Sequence, residues 1–135
     1  MVSLTTLYSL AAACLIPFVM AQDKPTIPST IIAINVGEKD TSQLFRLECN
    51  PTGGDHPIPE AACTFLDSIE GNFDQAKSSG GVCTFEYDPV TVTLFGLYEG
   101  KAVYFDNAYP NDCEARNVLG DLYPIVEEGE QQQQQ

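Results

Sequence analysis

Short apolar runs, punctuated by glycine and proline, divide this chain into strands with one helical interruption. Thr30-Ile31-Ile32-Ala33-Ile34-Asn35-Val36 is dense in β-branched residues and predicts a first strand. Gly37-Glu38-Lys39-Asp40 is turn-like, and Phe45, Leu47 and Cys49 then fall on one face at period two within Gln43 to Cys49. The two runs predict an antiparallel pair. Asn50-Pro51-Thr52-Gly53-Gly54-Asp55 reads as a loop by composition. The period changes after His56-Pro57-Ile58-Pro59, where Ala62, Phe65, Leu66 and Ile69 recur at helical spacing. This predicts a helix from Glu60 to Glu70, with Pro59 at its start and Gly71 as its C-terminal cap.

Asn72 to Gly81 is polar and closes with Ser78-Ser79-Gly80-Gly81, which predicts an exposed, flexible connection into Val82-Cys83. Thr91 to Leu97 and Lys101 to Phe105 alternate on either side of Tyr98-Glu99-Gly100 and predict a β-hairpin. Asp112 to Asn117 suits one short helical turn around Cys113. Asp121 to Val126 is expected to form a last strand, with Pro124 requiring an edge position or a bulge. The sum is an antiparallel sheet with a helix packed on it, an α+β sandwich.

Both ends of the chain differ from this pattern. Met1 to Ala21 contains no Asp, Glu, Lys or Arg and runs through Leu4, Leu15, Ile16 and Val19 to a small residue, after which Gln22-Asp23-Lys24-Pro25 is polar. Residues 1–21 therefore read as a secretory signal peptide, although without Lys or Arg in its first residues, and Pro17 opposes the competing reading of a retained membrane anchor. Removing the leader leaves 114 of the 135 residues, enough for one small domain over residues 22–126. Residues 127–135 end in five glutamines and are expected to be a low-complexity, disordered tail. The formal net charge of −13 lies wholly outside the leader. Such a surface repels nucleic acid and anionic membranes and favours a basic partner, or solubility alone.

Cys14 leaves with the leader, and the mature chain keeps Cys49, Cys63, Cys83 and Cys113. An even set in a secreted chain predicts two disulfides, with three possible pairings. Sequential pairing would close loops of about 15 and 31 residues, worth ~3 and ~3.7 kcal/mol. A metal site is disfavoured: no Cys-x-x-Cys spacing occurs, and His56 is the sole histidine. An even, oxidised cysteine set also argues against a cysteine nucleophile. No cofactor-binding motif is present, and Glu48, Asp55 and Asp88 are scattered carboxylates, so an enzyme is not expected. His56 reads as a hydrogen-bonded loop residue.

One segment stands apart. Cys83 is followed by Thr84-Phe85-Glu86-Tyr87-Asp88-Pro89, an extended stretch with a covalent anchor, and composition alone would send Phe85 and Tyr87 into the core. However, His56-Pro57, Ala62-Cys63, Cys83-Thr84-Phe85-Glu86-Tyr87-Asp88-Pro89-Val90-Thr91-Val92-Thr93, Gly96-Leu97-Tyr98-Glu99-Gly100-Lys101 and Asn111-Asp112-Cys113 occur in one order and near-spacing. In this the chain resembles the Streptomyces subtilisin inhibitor family over nearly the whole mature domain. The resemblance implies a five-stranded antiparallel sheet with two short helices, and disulfides joining Cys49 to Cys63 and Cys83 to Cys113.

It also implies a secreted, extracellular serine protease inhibitor with its scissile bond at Phe85-Glu86. Phe85 would be the primary specificity residue. Val82, Cys83 and Thr84 would lie on the acyl side, with Val82 reaching the apolar pocket that subtilisins keep for the fourth residue back. Glu86 and Tyr87 would follow on the leaving-group side, and Asn111 would support the loop. Phe85 favours subtilisin-like or chymotrypsin-like partners, because an apolar pocket accepts a phenyl ring. A homodimer through the sheet is a further implication. Departures from the family pattern are Thr84, where proline is common, the acidic Glu86, and Tyr98 in place of a tryptophan. The rival expectation is a binding module that keeps this fold without inhibiting proteases.

Overall fold

A computed structural model describes residues 24–125; the expected leader (1–21) and tail (127–135) lie outside the described residues. Its centre is β1 (Thr30–Glu38), where Ile32, Ile34 and Val36 are buried and the residues between them are only half-buried. This is the period-two signature of a strand with one face on the core. β1 pairs antiparallel with β2 (Thr41–Cys49) on one side and β4 (Val90–Tyr98) on the other. β3 (Gly53–Gly54) lies beyond β2 and β5 (Lys101–Tyr109) beyond β4, giving the order β3-β2-β1-β4-β5. Leu47, Val92 and Leu94 share the inner face with the β1 residues. Helix α1 (Pro59–Ser68) adds Ala62 and Leu66 to that core, and helix α2 (Asp112–Leu119) adds Ala115 and Leu119.

Bridges join Cys49 to Cys63 and Cys83 to Cys113. The first ties the end of β2 to α1 within the core. The second ties an exposed loop to α2, so the two bridges act on different parts of the molecule.

Three expectations change. Over the described part, 121–125, the strand expected for Asp121–Val126 does not form, because Gly120–Leu122 makes a 3-10 turn and Leu122, Tyr123 and Pro124 are buried in succession instead of alternately. The His56 ring holds the Leu122 carbonyl, and Gly53–Gly54 occupies the outer edge of β2 at Leu47 and Glu48. That glycine pair, read from composition as a loop, is the fifth strand. Gly54 has φ 92° and lies so close to the Arg46 carbonyl that a Cβ would overlap it.

The end of α1 also differs. Glu70, not Gly71, takes the first left-handed position (φ 52°), its N–H donating to the Asp67 carbonyl (3.0 Å) while the Gly71 N–H donates to Leu66 (3.1 Å). These two bonds form a Schellman motif. Gly71 is required for a second reason: the Tyr98 ring occupies the space a Cβ would fill. The Tyr98 hydroxyl, which donates to Asp67 Oδ1 at 3.2 Å, completes this junction of α1 with the β4–β5 turn.

Candidate functional site

Ala76 to Pro89 has no regular secondary structure and runs from the short 3-10 turn Phe73–Gln75 into β4. Within it Phe85 is fully exposed (106% of its reference area), Val82 is 98% exposed and Tyr87 79%. Apolar side chains of this size are ordinarily buried. What holds their backbone in place is α2.

Asn111 is the N-cap of α2 and is 7% exposed. Its Oδ1 accepts the Glu114 N–H at 2.9 Å, satisfying one of the donors that a helix start leaves without a partner. This fixes the orientation of the amide, whose Nδ2 then points away from the helix. Nδ2 donates to the Glu86 carbonyl at 2.9 Å and lies 3.4 Å from the Thr84 carbonyl. One side chain thus spans Phe85, holding the carbonyls on either side and leaving the phenyl ring in solvent. Cys113, inside the first turn of the same helix, bonds covalently to Cys83 two residues before Phe85. Of the predicted site residues, Thr84, Glu86, Cys83 and Asn111 are therefore brought together, while Val82, Phe85 and Tyr87 point outward.

Further contacts are absent from the sequence reading. After Phe85 the Asp88 N–H donates to the Pro110 carbonyl at 2.9 Å, and the Asp88 carboxylate pairs with Lys39 at 3.3 Å from the β1–β2 turn. Both partners of that ion pair are exposed, so it contributes little to stability, but it reaches the loop from a second element. Before Phe85, Asn117, one helical turn past Cys113, binds Ser79 and Gly81. The i, i+4 spacing of Cys113 and Asn117 was a legible signal that both face the loop once α2 is accepted as a helix.

Groups that could have supported catalysis are otherwise engaged. His56 is buried and its Nδ1 accepts the Ile58 N–H at 3.2 Å, which leaves the proton on Nε2 to donate to the Leu122 carbonyl at 3.1 Å. Burial pushes its pKa below the ordinary 6.5, opposed by that carbonyl and by Asp55. Glu48 pairs with Arg46 at 2.7 Å. Among the described residues no three His, Cys, Asp or Glu side chains converge to hold a metal ion. A hollow of about 390 Å³ lined by Val36, Gln43, Phe45, Arg116 and Tyr123 contains none of the loop residues. The site is an exposed, presented segment.

Comparison with known proteins bears on the family and the fold. The protein is 39% identical over 83 residues to subtilisin inhibitor-like protein 1 of Streptomyces cacaoi, covering 57% of this chain and 74% of that one. It is 35% identical over 104 residues to protease inhibitor SIL-V2 of Streptomyces orinoci, covering 71% of this chain and 94% of that one. Among solved structures it is similar to Streptomyces caespitosus sermetstatin in complex with Bacillus licheniformis subtilisin. The TM-score is 0.58 at 27% identity, over 70% of this chain and 97% of that one. The family model described as subtilisin inhibitor-like matches residues 28–111, and the chain belongs to that family.

Proposed function

We propose that the protein is a secreted inhibitor of subtilisin-like or chymotrypsin-like serine proteases that presents Phe85-Glu86 as its scissile bond. The observation that carries this is the bracketing of Phe85, a fully exposed phenyl ring between two carbonyls held by one buried amide. An exposed apolar side chain on a braced segment fits a partner's pocket. The names of the similar Streptomyces proteins and the subtilisin bound to sermetstatin support the same partner class.

The mechanism follows from how the segment is held. An extended peptide can pair its backbone with the enzyme as an added strand while Phe85 fills the main pocket. A free peptide would lose conformational entropy on docking; here Cys83–Cys113 and Asn111 have already ordered the segment, so binding costs less. If the enzyme's serine oxygen attacks the Phe85 carbonyl, the peptide bond breaks, the acyl group passes to the serine and the Glu86 amine is released. That amine does not diffuse away. Asn111 holds Glu86, Pro110 and Lys39 hold Asp88, and the bridge from Cys83 to Cys113 keeps the acyl half on the same body. The amine therefore re-attacks the ester, the peptide bond re-forms, and hydrolysis is slow. Affinity in this class reaches the tightest range known for protein pairs.

Secretion accords with the uncharged leader pattern of residues 1–21 and with two disulfides, which persist in oxidising compartments. Pairing of two copies accords with the outer sheet face, where Leu44, Phe95, Leu97 and Tyr104 are exposed. Titration of subtilisin and chymotrypsin with the mature wild type and with Phe85→Gly tests the reading. Stoichiometric inhibition lost in the variant supports it; no inhibition by the wild type across a protease panel leaves a binding module with this fold.

A further inference from the structure

We propose that Asn117 is a positioning residue for Val82, and through it a determinant of which enzymes accept the acyl side of the loop. The inference rests on reading Phe85-Glu86 as the scissile bond and adds a residue of α2 that touches neither Phe85 nor Glu86.

Asn117 meets every second residue of the approach to Phe85. Its backbone carbonyl accepts the Ser79 N–H at 2.7 Å and its Oδ1 accepts the Ser79 hydroxyl at 3.3 Å. Its Nδ2 donates to the Gly81 carbonyl at 2.8 Å and lies 3.2 Å from Cys83 Sγ. Residues 79, 81 and 83 thus face α2. Gly80 takes a left-handed position (φ 77°) between the first two, and Val82, between Gly81 and Cys83, points to solvent. Val82, 98% exposed, is held between the Gly81 carbonyl on one side and the Cys83 bridge on the other.

Gly81 and Asn117 form a matched pair. A Cβ at residue 81 would run into the Asn117 carboxamide, and the backbone of Gly81 is not in the left-handed region, so that contact alone demands glycine there. The absent side chain lets loop and helix approach closely enough for the 2.8 Å bond. Asn111 does not perform this task, since it reaches only the Thr84 and Glu86 carbonyls, and the Cys113 sulfur, 3.9 Å from the Val82 carbonyl, has no S–H to donate once it is bridged to Cys83. With the Asn117 side chain in place, the Val82 side chain is aimed; without it, Gly81 loses its bond to α2, while the Ser79 N–H keeps its bond to the backbone carbonyl of residue 117. An enzyme with an apolar pocket for the fourth residue back gains from the aimed Val82, and an enzyme without one does not.

The test is a double-mutant cycle on subtilisin Kd with Asn117→Ala and Val82→Gly, with Gly81→Ala approaching the same contact from the loop and Phe85→Gly as a reference. Alanine is a better helix former than asparagine, so α2 is expected to fold in Asn117→Ala, and thermal denaturation checks this. Loss of one or two hydrogen bonds predicts binding weakened about threefold to tenfold in Asn117→Ala. In the Val82→Gly background the same substitution is predicted to cost less than about twofold, since coupled residues do not add. Gly81→Ala is expected to repeat both results, and it carries the test if Asn117→Ala is unfolded. An equal loss with and without Val82, or no loss at all, overturns the role of Asn117. If this occurs while Phe85→Gly abolishes inhibition, the scissile-bond reading stands and only Asn117 is misassigned. Wild-type Kd in Phe85→Gly would overturn both.

Discussion

Asn111 donates through Nδ2 to the Glu86 carbonyl at 2.9 Å while its Oδ1 caps α2 at the Glu114 N–H. The helix start and the loop segment after Phe85 are therefore one device. Asn111→Asp separates the two roles, because aspartate caps a helix as well as asparagine but brings no N–H to the loop. Two hydrogen bonds at ~1 kcal/mol each give way to repulsion between carboxylate and carbonyl, so the Kd for subtilisin should rise by about tenfold or more. Thermal stability should change little by comparison. Equal Kd values for variant and wild type would remove Asn111 from the mechanism.

The two disulfides should separate stability from inhibition. Cys83→Ser/Cys113→Ser opens the bridge of sequence separation 30 and is expected to cost ~3.7 kcal/mol of unfolded-state constraint. It should also convert the loop into a substrate, cleaved with turnover. Cys49→Ser/Cys63→Ser, of separation 14, is expected to cost ~3 kcal/mol yet leave the loop resistant wherever the protein remains folded. Denaturant midpoints and the rate of chain cleavage by subtilisin, measured for both, decide this.

His56 predicts a pH dependence of folding. Its pKa is lowered in the folded state, chiefly by burial, so the unfolded chain binds the proton more readily. Stability from the neutral ring is therefore fully present above 6.5 and is lost as pH falls below it. Protonation would set an Nδ1–H against the Ile58 N–H. The stability difference between wild type and His56→Gln should shrink between about pH 7.5 and about pH 5, read from urea midpoints. A difference constant across that range would show that His56 is not the titrating group.

Phe95 and Tyr104 are cross-strand neighbours on the exposed sheet face, with Leu44 on the far side of β1. If this face pairs two copies, Phe95→Lys combined with Leu44→Lys should halve the mass seen by sedimentation equilibrium. Subtilisin inhibition should stay within about twofold, because the substituted face lies away from the loop and distant sites act independently. A wild type that sediments as a single chain would dispose of the dimer.

Long-range strands and α1 were legible because their burial follows simple periods, as in Ile32-Ile34-Val36 and Ala62-Leu66-Ile69. Gly53–Gly54 was not, since two glycines carry no side-chain pattern and their pairing depends on where Arg46 and Leu47 lie. Asp121–Val126 misled because Leu122 and Tyr123 suit a strand by composition, while the His56–Leu122 bond that decides the matter spans 66 residues. Phe85 shows the same limit at the site. Composition would bury it, and only its register after Cys83 within the family resemblance turned it outward, where the structure places it. Asn117 needed the helix to be known before its spacing from Cys83 had meaning.

Mapping the bond that subtilisin cuts on prolonged incubation tests the proposed inhibitory loop most directly. Mass measurement after reduction should show one slow break between Phe85 and Glu86, with Glu86 as the new N-terminus and the rest of the chain intact. A first cut at any other bond, or rapid digestion with no stable complex, would contradict it.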